Sequence, residues 1–200
     1  MANKWIDISY LLSPNFPSWP GDIKYSVHTS KANEYMLSSK ICMSSHSGTH
    51  IDASSHYAGN TETINDIPID KLFGKVKIIE VFDAIIDCKH IKNIKCKRVI
   101  FKTRKEEIFE FDEKYTFISP DAASLLVDKK ICLVGIDTFS VENIKNNNFD
   151  THKILLSAGI IIIECLNLCH VAAGNYNMIA LPIKTDAEAS LVRVLIKSVR

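Results

Sequence analysis

The feature that most constrains this chain is a short segment crowded with side chains that bind metal ions. Between positions 46 and 56 lie His46, His50, Asp52 and His56, which include three of the seven histidines. Imidazole nitrogens and carboxylate oxygens are the usual ligands of zinc and related ions in hydrolytic sites, because they leave coordination positions for water. The segment therefore predicts a metal centre, against the alternative of a loop with surface histidines.

The spacing of these residues restricts the backbone. A fully extended chain would hold His46 and His50 roughly 13 Å apart, too far to ligate one ion. A helix would bring them together, but the Ser-Gly-Thr sequence around Gly48 is a poor helix interior. We therefore predict a bend at Gly48 that lets His46, His50 and Asp52 converge on metal. His56 then remains available as a general acid or base near neutral pH.

A second candidate group lies near the carboxyl end. Glu164 ends the apolar run Ile160–Ile163, and a carboxylate that enters such a strand is costly unless it is paired or bound to metal. His152 falls in the first turn of the helix predicted just before this strand. A helix-turn-strand unit can bring His152 beside Glu164, although an isolated histidine in such a position more often lies on the helix surface.

Other potential ligands have a simpler interpretation. Cys165, Cys169 and His170 are close enough in sequence for a thiolate metal site, but no second Cys/His pair at zinc-finger spacing accompanies them. Packing of the cysteines in the core is therefore favoured. His28, His90 and His170 have no apparent companion ligand, so we expect them to be exposed or singly hydrogen-bonded.

Apolar periodicity predicts a mostly β chain with two or three helices. The predicted strands are Lys4–Leu12, Lys24–Thr29, Met36–Ser44, Lys75–Phe82, Arg98–Lys102, Ile131–Ile136, Ile160–Leu166, Asn177–Ile183 and Leu191–Lys197. Ser119, followed by proline and aspartate, predicts a capped helix over Pro120–Asp128. Asp150 is predicted to cap a second helix that runs to about Ala158, before Gly159.

Composition limits the possible partners. With 200 residues, 46% of them hydrophobic, the chain has the size of one domain spanning residues 1–200. The net charge is +1 and opposite charges are interspersed, which argues against a nucleic-acid-binding face. The longest strongly apolar stretch, Ile154–Ile163, is shorter than the roughly 20 residues of a membrane span. No signal-peptide core is evident, so a cytoplasmic protein with reduced cysteines is expected.

A proline-rich loop follows the first predicted strand. Pro14, Pro17, Pro20 and Gly21 restrict its backbone, and Trp19 lies among them. An aromatic side chain held in this way either packs as a lid on the core or contacts a substrate. The loop sequence leaves both roles open for Trp19.

The segment from His46 to His56, HSGTHIDASSH, resembles the motif HxGTHxDAPxH of the cyclase family of metal hydrolases. This family includes bacterial kynurenine formamidases and, as relatives, isatin hydrolases. Ser54 stands where the motif has proline, a departure that removes no ligand. Further resemblance is found in the blocks Ser18–Asp22, Gly135–Thr138, His152–Ile160, Glu164–Leu166 and Leu181–Lys184.

The resemblance implies a binuclear metal site. Its ligands would be His46, His50, Asp52, His152 and Glu164. Asp52 would bridge the two ions, His56 would be the catalytic residue and Trp19 would line the substrate pocket. The ions would be Zn²⁺, with Mn²⁺ as the alternative. They would activate a water molecule for attack on the substrate carbonyl, and His56 would pass a proton to the leaving amine.

The resemblance also implies a fold and an activity. The fold is α/β, a single compact domain with a mixed, barrel-like β-sheet and outer helices, and members commonly form homodimers. The activity is hydrolysis of a C–N bond other than a peptide bond, as by an arylformamidase of tryptophan catabolism that converts N-formylkynurenine to kynurenine and formate. Alternatives are the opening of a cyclic amide or lactone, as by isatin hydrolase, and metal binding without turnover. A serine hydrolase is disfavoured because no G-x-S-x-G elbow occurs.

Overall fold

The computed structural model describes residues 4–57 and 59–199, and its regular elements within those ranges are mostly strands. The strands are β1 (Ile6–Asp7), β2 (Ser26–Lys31), β3 (Leu37–Cys42), β4 (His50–Asp52), β5 (Phe73–Glu80), β6 (Ile85–Ile86), β7 (Arg98–Lys102), β8 (Phe117–Ile118), β9 (Leu133–Ile136), β10 (Ile161–Glu164), β11 (Gly174–Pro182) and β12 (Ala189–Ser198). The α-helices are α1 (Cys88–Ile91), α2 (Pro120–Asp128) and α3 (Asp150–Ser157). Short 3-10 turns occupy Ser54–His56, Ile64–Asp66 and Ile69–Lys71.

Seven strands close into a barrel. Their order around the ring is β12, β11, β5, β7, β9, β10 and β4, and β4 pairs again with β12. The neighbours β5, β7, β9 and β10 run parallel, whereas the other pairings in the ring are antiparallel. β1 extends the sheet beyond β12. This closed mixed sheet with helices beside it confirms the fold that the family resemblance implied.

Apolar side chains of the parallel strands divide between two cores because successive residues of a strand point to opposite faces. In β7, Ile100 packs in the cluster that fills the barrel, together with Leu133 and Ile163. Its neighbours Val99 and Phe101 pack in a second cluster with residues of α2 and α3. Burial on both faces explains why these strands are continuous apolar runs.

Two predicted strands lie outside the barrel. β2 and β3 pair with each other as a separate two-stranded sheet, and we call the hairpin Ser26–Cys42 the arm. Nearly every residue of both strands is exposed. The sequence predicted that both segments are strands. It did not predict that they lie outside the barrel, because their residue pattern does not show which sheet they join.

The predicted first strand, Lys4–Leu12, is wrong in length. Only Ile6–Asp7 pairs as a strand, and Ser9 adds an isolated bridge. The backbone N–H of Tyr10 donates to the side chain of Thr49 at 2.9 Å instead of joining a ladder. The chain therefore leaves the sheet here and passes over the segment that carries the predicted ligands.

The remaining predicted elements are present, some with ends shifted by a few residues. The strand Arg98–Lys102 and the helix Pro120–Asp128 have the predicted bounds. Ser119 caps that helix as predicted, since its side chain accepts a hydrogen bond from the N–H of Ala122. Within the described ranges, no helix combines the length and the apolar character that crossing a membrane requires.

Candidate active site

The structure brings the predicted site residues together at one cavity of about 290 Å³. Among the residues that line it are His46, His50, His56, His152, Glu164 and Trp19. Asp52 is fully buried beside them. Residues from both halves of the chain therefore meet at one place, as the sequence predicted.

Pairing of β4 with β10 positions the central candidate ligands. In this antiparallel pair Glu164 lies directly opposite His50, so both side chains point to the same face of the sheet. The Nε2 atom of His50 lies 3.4 Å from a carboxylate oxygen of Glu164 and 3.5 Å from Oδ1 of Asp52. The Nδ1 atom of His50 lies 2.8 Å from the carbonyl oxygen of Gly48. That hydrogen bond leaves Nε2 as the atom available to a metal.

The predicted bend at Gly48 is present. Gly48 has a φ of +61°, a left-handed conformation that side chains disfavour. A Cβ there would also lie 3.3 Å from Leu12. The bend turns His46 back onto the strand, where its Nδ1 lies 3.1 Å from Oδ1 of Asp52. The hydroxyl of Thr49 donates to the carbonyl of Cys165 at 2.6 Å, which holds the bent segment against β10.

The helix-turn-strand unit behaves as predicted. His152 in α3 is buried, and its Nε2 lies 3.5 Å from Oε1 of Glu164 at the end of β10. His56 lies in the 3-10 turn after β4, with its ring centroid 4.2 Å from that of His46 and 5.5 Å from that of His152. Desolvation in the cavity, together with these two imidazoles, lowers the pKa of His56.

The donor set suits a divalent ion. In the described part of the chain, Nε2 of His50 and both oxygens of Asp52 are buried without a hydrogen-bond partner. Ligand atoms of His46, Asp52 and His56 lie within 4.8 Å of one another, and so do those of His50, Asp52 and Glu164. Two ligands of one zinc ion are separated by about 3.0–3.5 Å at normal bond lengths. Asp52 belongs to both groups, as expected of a bridging ligand.

The electrostatics of the site favour bound cations. Burial lowers the pKa of His50, but the carboxylates of Asp52 and Glu164 outweigh it and raise the value to about 9. The pKa of His152 rises to about 10 against the same effect of burial, because Glu142 and Glu164 adjoin it. Burial raises the pKa of Asp52 and Glu164, yet the adjacent imidazoles hold both well below the usual range. Ionised carboxylates in such a place require positive charge beside them.

Sequence reasoning missed Glu142, which supports α3. Phe149, with a φ of +52°, is the N-cap and its side chain caps no amide, so the prediction that Asp150 caps this helix is wrong. Instead, Oε2 of Glu142 accepts hydrogen bonds from the N–H groups of Thr151 at 2.9 Å and His152 at 3.2 Å. The same oxygen lies 3.7 Å from Nδ1 of His152. The sequence around a helix does not predict a capping residue that comes from a loop outside that helix.

The substitution Glu142→Gln is expected to weaken metal binding by about 10- to 100-fold, the usual cost of losing a partner that orients a ligating imidazole. Glutamine still offers an oxygen to the helix amides but removes the charge beside His152. Isothermal titration with Zn²⁺ measures the change. Asp150→Asn, an acid in the first turn of the same helix, is the matched control and should bind as wild type. Equal weakening in both variants would assign the effect to the helix terminus.

Glu188 was also missed. Its Oε1 lies 3.3 Å from Nε2 of His46 and accepts a hydrogen bond from the hydroxyl of Ser45 at 2.6 Å. Glu188 precedes β12, which pairs with β4 and so carries this carboxylate to the bent segment. The sequence does not predict the contact between Glu188 and His46, because that contact depends on closure of the barrel.

The structure shows the packing role of Trp19, whereas substrate contact stays a prediction. The indole packs edge-on against Phe111, with ring centroids 5.3 Å apart, and lies near Tyr115 at 6.5 Å. It also lines the cavity, to which Phe139 and Phe149 add further aromatic surface. An aromatic wall beside a set of metal ligands fits a planar, apolar substrate group.

Core packing was predicted for the cysteines near β10, and this is confirmed for Cys165, which is 2% exposed. It is wrong for Cys169, which lies half-buried beside the exposed His170. His170 is exposed, as expected, and Glu107 approaches both residues. His90 contacts the carboxylates of Asp83 and Asp87, which both precede α1, and so is neither exposed nor singly hydrogen-bonded as expected.

The amino-acid sequence is similar to those of known proteins along nearly its whole length. The sequence model of the cyclase family matches residues 6–143. The chain belongs to the cyclase family. A kynurenine formamidase of Bacillus cereus is 35% identical over 209 aligned positions, which cover 99% of this chain and 99% of the relative. A kynurenine formamidase of Bacillus thuringiensis subsp. konkukian is 34% identical over the same length and coverage.

Solved structures of the cyclase family share the fold. A structure described as that of a predicted metal-dependent hydrolase from Bacillus stearothermophilus superposes with a TM-score of 0.86 at 34% identity, over 98% of both chains. Isatin hydrolase A from Labrenzia aggregata superposes with a TM-score of 0.84 at 20% identity, over 98% of this chain and 94% of the hydrolase. The cyclase-family chain is accordingly a hydrolase whose site suits a metal cofactor.

Proposed function

We propose that this cyclase-family chain is an arylformamidase that hydrolyses N-formylkynurenine to kynurenine and formate. The observation that carries the proposal is the meeting of two groups of ligand side chains at Asp52, beside an aromatic-walled cavity. Similarity to kynurenine formamidases over 99% of both chains supports this substrate in preference to a cyclic amide. The alternative, opening of isatin or a related ring, is supported by the shared fold alone.

The metal centre is proposed to be binuclear. Its ligands are His46, His50, Asp52, His152 and Glu164, which adjoin one another in the structure. Asp52 is the bridging residue, since it belongs to both groups of ligand atoms. Zn²⁺ is the proposed ion and Mn²⁺ the alternative, because nitrogen and carboxylate ligands accept both. Elemental analysis of the purified protein determines identity and number.

When bound, the ions supply the Lewis acidity that activates water and polarises the formyl carbonyl. The chain's own residues provide the rest. Trp19 and Phe139 hold the aryl ring against the cavity wall, which fixes the distance from the formyl group to the ligand cluster. His56, neutral because of its lowered pKa, accepts the proton of the attacking water and returns it to the departing nitrogen as the C–N bond breaks.

A side-by-side assay tests the activity. N-formylkynurenine and isatin are supplied to the full-length protein loaded with Zn²⁺ or Mn²⁺, with release of formate or isatinate as readout. The proposal predicts formate release with a kcat/KM well above that for isatin. The reverse preference would assign the isatin reaction. Stoichiometric metal without hydrolysis of either substrate would indicate a metal-binding protein without turnover. Activity that persists in the presence of a chelator would support a hydrolase that needs no metal.

Truncation of Trp19 is expected to impair substrate binding. Trp19→Ala should raise KM for N-formylkynurenine by about 10-fold or more, since burying a large aromatic contact contributes on the order of 1.5–3 kcal/mol. Metal content should not change, because the indole contacts no ligand. Trp5→Ala is the matched control, since Trp5 is 39% exposed and lies outside this cavity. An unchanged KM in Trp19→Ala would leave the indole as a packing residue.

The homodimer remains part of the proposal, and the arm supports it. Its exposed apolar side chains are Val27, Tyr35, Met36, Leu37 and Ile41. A two-stranded hairpin is marginal in water by itself, and contiguous apolar surface is usually covered by a partner. A second copy of this chain is the proposed cover, and light scattering measures the oligomeric state. The single domain over residues 1–200 and the cytoplasmic location stay predictions.

A further inference from the structure

A separate cluster of ligand side chains lies outside the active-site cavity. Glu107, Cys169 and His170 each offer one ligand atom, and these atoms lie within 4.8 Å of one another. We call them the Cys-His-Glu cluster. Glu107 comes from the loop between β7 and β8, and the other two come from the turn after β10. None of the three lines the cavity that holds the active-site residues.

The separations within the cluster match those of ligands that share one ion. The Sγ atom of Cys169 lies 3.1 Å from Nε2 of His170 and 3.8 Å from Oε1 of Glu107. The same nitrogen of His170 lies 3.5 Å from that oxygen of Glu107. A tetrahedral zinc ion with one sulfur, one nitrogen and one oxygen ligand separates them by about 3.4–3.6 Å. The sulfur also lies 3.3 Å from Nδ1 of His170, so binding of an ion requires the imidazole, which is exposed, to rotate and direct Nε2 at the shared position.

Neighbouring groups hold the cluster in place. Asn167 donates from Nδ2 to Oε1 of Glu107 at 3.1 Å and accepts from the Cys169 thiol at 2.9 Å. Arg104 donates to the backbone carbonyls of Glu106 and Glu107 at 2.8 and 3.2 Å, so its guanidinium orders the loop. Among the described residues, no lysine or arginine forms an ion pair with the Glu107 carboxylate. Its charge is available to a cation.

We propose that Glu107, Cys169 and His170 form a metal site distinct from the active site, with Zn²⁺ as the ion and water in the fourth position. The thiolate gives this site a different preference from the active site. Sulfur ligands select zinc and other soft ions, whereas carboxylate ligands also accept Mg²⁺, Ca²⁺ and Mn²⁺. As the sulfur-metal bond forms, the thiol proton passes to solvent.

Occupation of this site links two segments that shape the cavity. The backbone N–H of Ile108, next to Glu107, donates to the hydroxyl of Tyr10 at 2.8 Å. Further along the same loop, Phe111 packs against Trp19. An ion held between this loop and the turn after β10 restrains the backbone that supports Trp19. Its expected effect is slower hydrogen exchange in residues 105–111.

Cobalt absorption tests the thiolate ligand. The full-length chain is dialysed against chelator under reducing conditions and titrated with Co²⁺, and the thiolate-to-cobalt charge-transfer band in the near ultraviolet is recorded. Wild type should develop the band as one equivalent binds in addition to the ions that fill the active site, and Cys169→Ser should lack it at every equivalent. The control Cys42→Ser, which removes an exposed thiol on the arm, should keep it. A band that persists in Cys169→Ser would overturn the proposal.

Zinc stoichiometry provides a second readout. After equilibrium dialysis, wild type should contain one zinc more than the double variant C169S/H170A, while both retain the same number of ions in the active site. Circular dichroism checks that both are folded. Zinc should slow exchange of residues 105–111 in wild type alone. Equal zinc content in the two proteins would show that the Cys-His-Glu cluster is a hydrogen-bonded surface cluster, which overturns the proposal.

Discussion

Replacement of His56 by alanine is expected to lower kcat on N-formylkynurenine by about 10²- to 10⁴-fold, the contribution of a positioned general acid or base. The imidazole lies at the cavity, between the rings of His46 and His152. The other imidazoles that line the cavity belong to His46, His50 and His152, which are the proposed metal ligands. His56 is therefore the imidazole that can move the proton from water to the departing nitrogen. Steady-state kinetics measure kcat and KM separately, and KM should change much less.

Metal analysis of the same variant separates the two roles that the geometry allows for His56. As a proton carrier, its loss leaves the metal content of His56→Ala equal to that of wild type. His56 also shares a group of ligand atoms with His46 and Asp52, so a missing ion in His56→Ala would reassign it as a ligand. His28→Ala removes an exposed imidazole on the arm and should change neither quantity.

Replacement of Asp52 by asparagine is expected to remove at least one bound ion and to lower kcat/KM by at least about 100-fold. Asparagine keeps the size of the side chain but removes its charge and one ligand oxygen. Both Asp52 oxygens are buried and face the imidazoles of His46 and His50, which places the carboxylate where a bound ion would need it. Elemental analysis and kinetics on the purified variant measure the two effects.

Asp137 provides a matched control for Asp52, because it is also fully buried. Its carboxylate accepts hydrogen bonds from the N–H of Thr103 at 2.9 Å and from the Thr103 hydroxyl at 2.6 Å. Asp137→Asn should lower the free energy of unfolding by about 1–3 kcal/mol and keep the metal. Full metal content in Asp52→Asn would contradict its assignment as a shared ligand. Metal loss in both variants would point to unfolding instead.

Much of the candidate site could be predicted because its information is local. The segment from His46 to His56 contains four ligand-type side chains and a single glycine where the chain must bend, and Gly48 has the left-handed φ that the bend requires. His152 and Glu164 also belong to one short helix-turn-strand unit. Their approach depends on the length of a turn rather than on the whole fold, so spacing allowed it to be predicted, and the family resemblance then implied that both are ligands.

Residues contributed by distant loops could not be predicted. Glu142 reaches the first turn of α3 from an outside loop, and Glu188 approaches His46 only after β12 pairs with β4. Glu107 is far in sequence from Cys169, so the Cys-His-Glu cluster had no visible third ligand. Each of these carboxylates lies in a polar loop whose composition has no feature that separates it from ordinary exposed loops.

The amino-acid sequence by itself determined the elements and the chemistry of the site. Alternation and apolar runs predicted the strands, and residue type with spacing predicted the ligands, because both depend on neighbours within a few residues. Tertiary structure alone decided that β4 lies between β10 and β12 to close the barrel, and that the arm stays outside it. Strand pairing depends on which apolar faces are buried together, and that is a property of the assembled core rather than of any one segment.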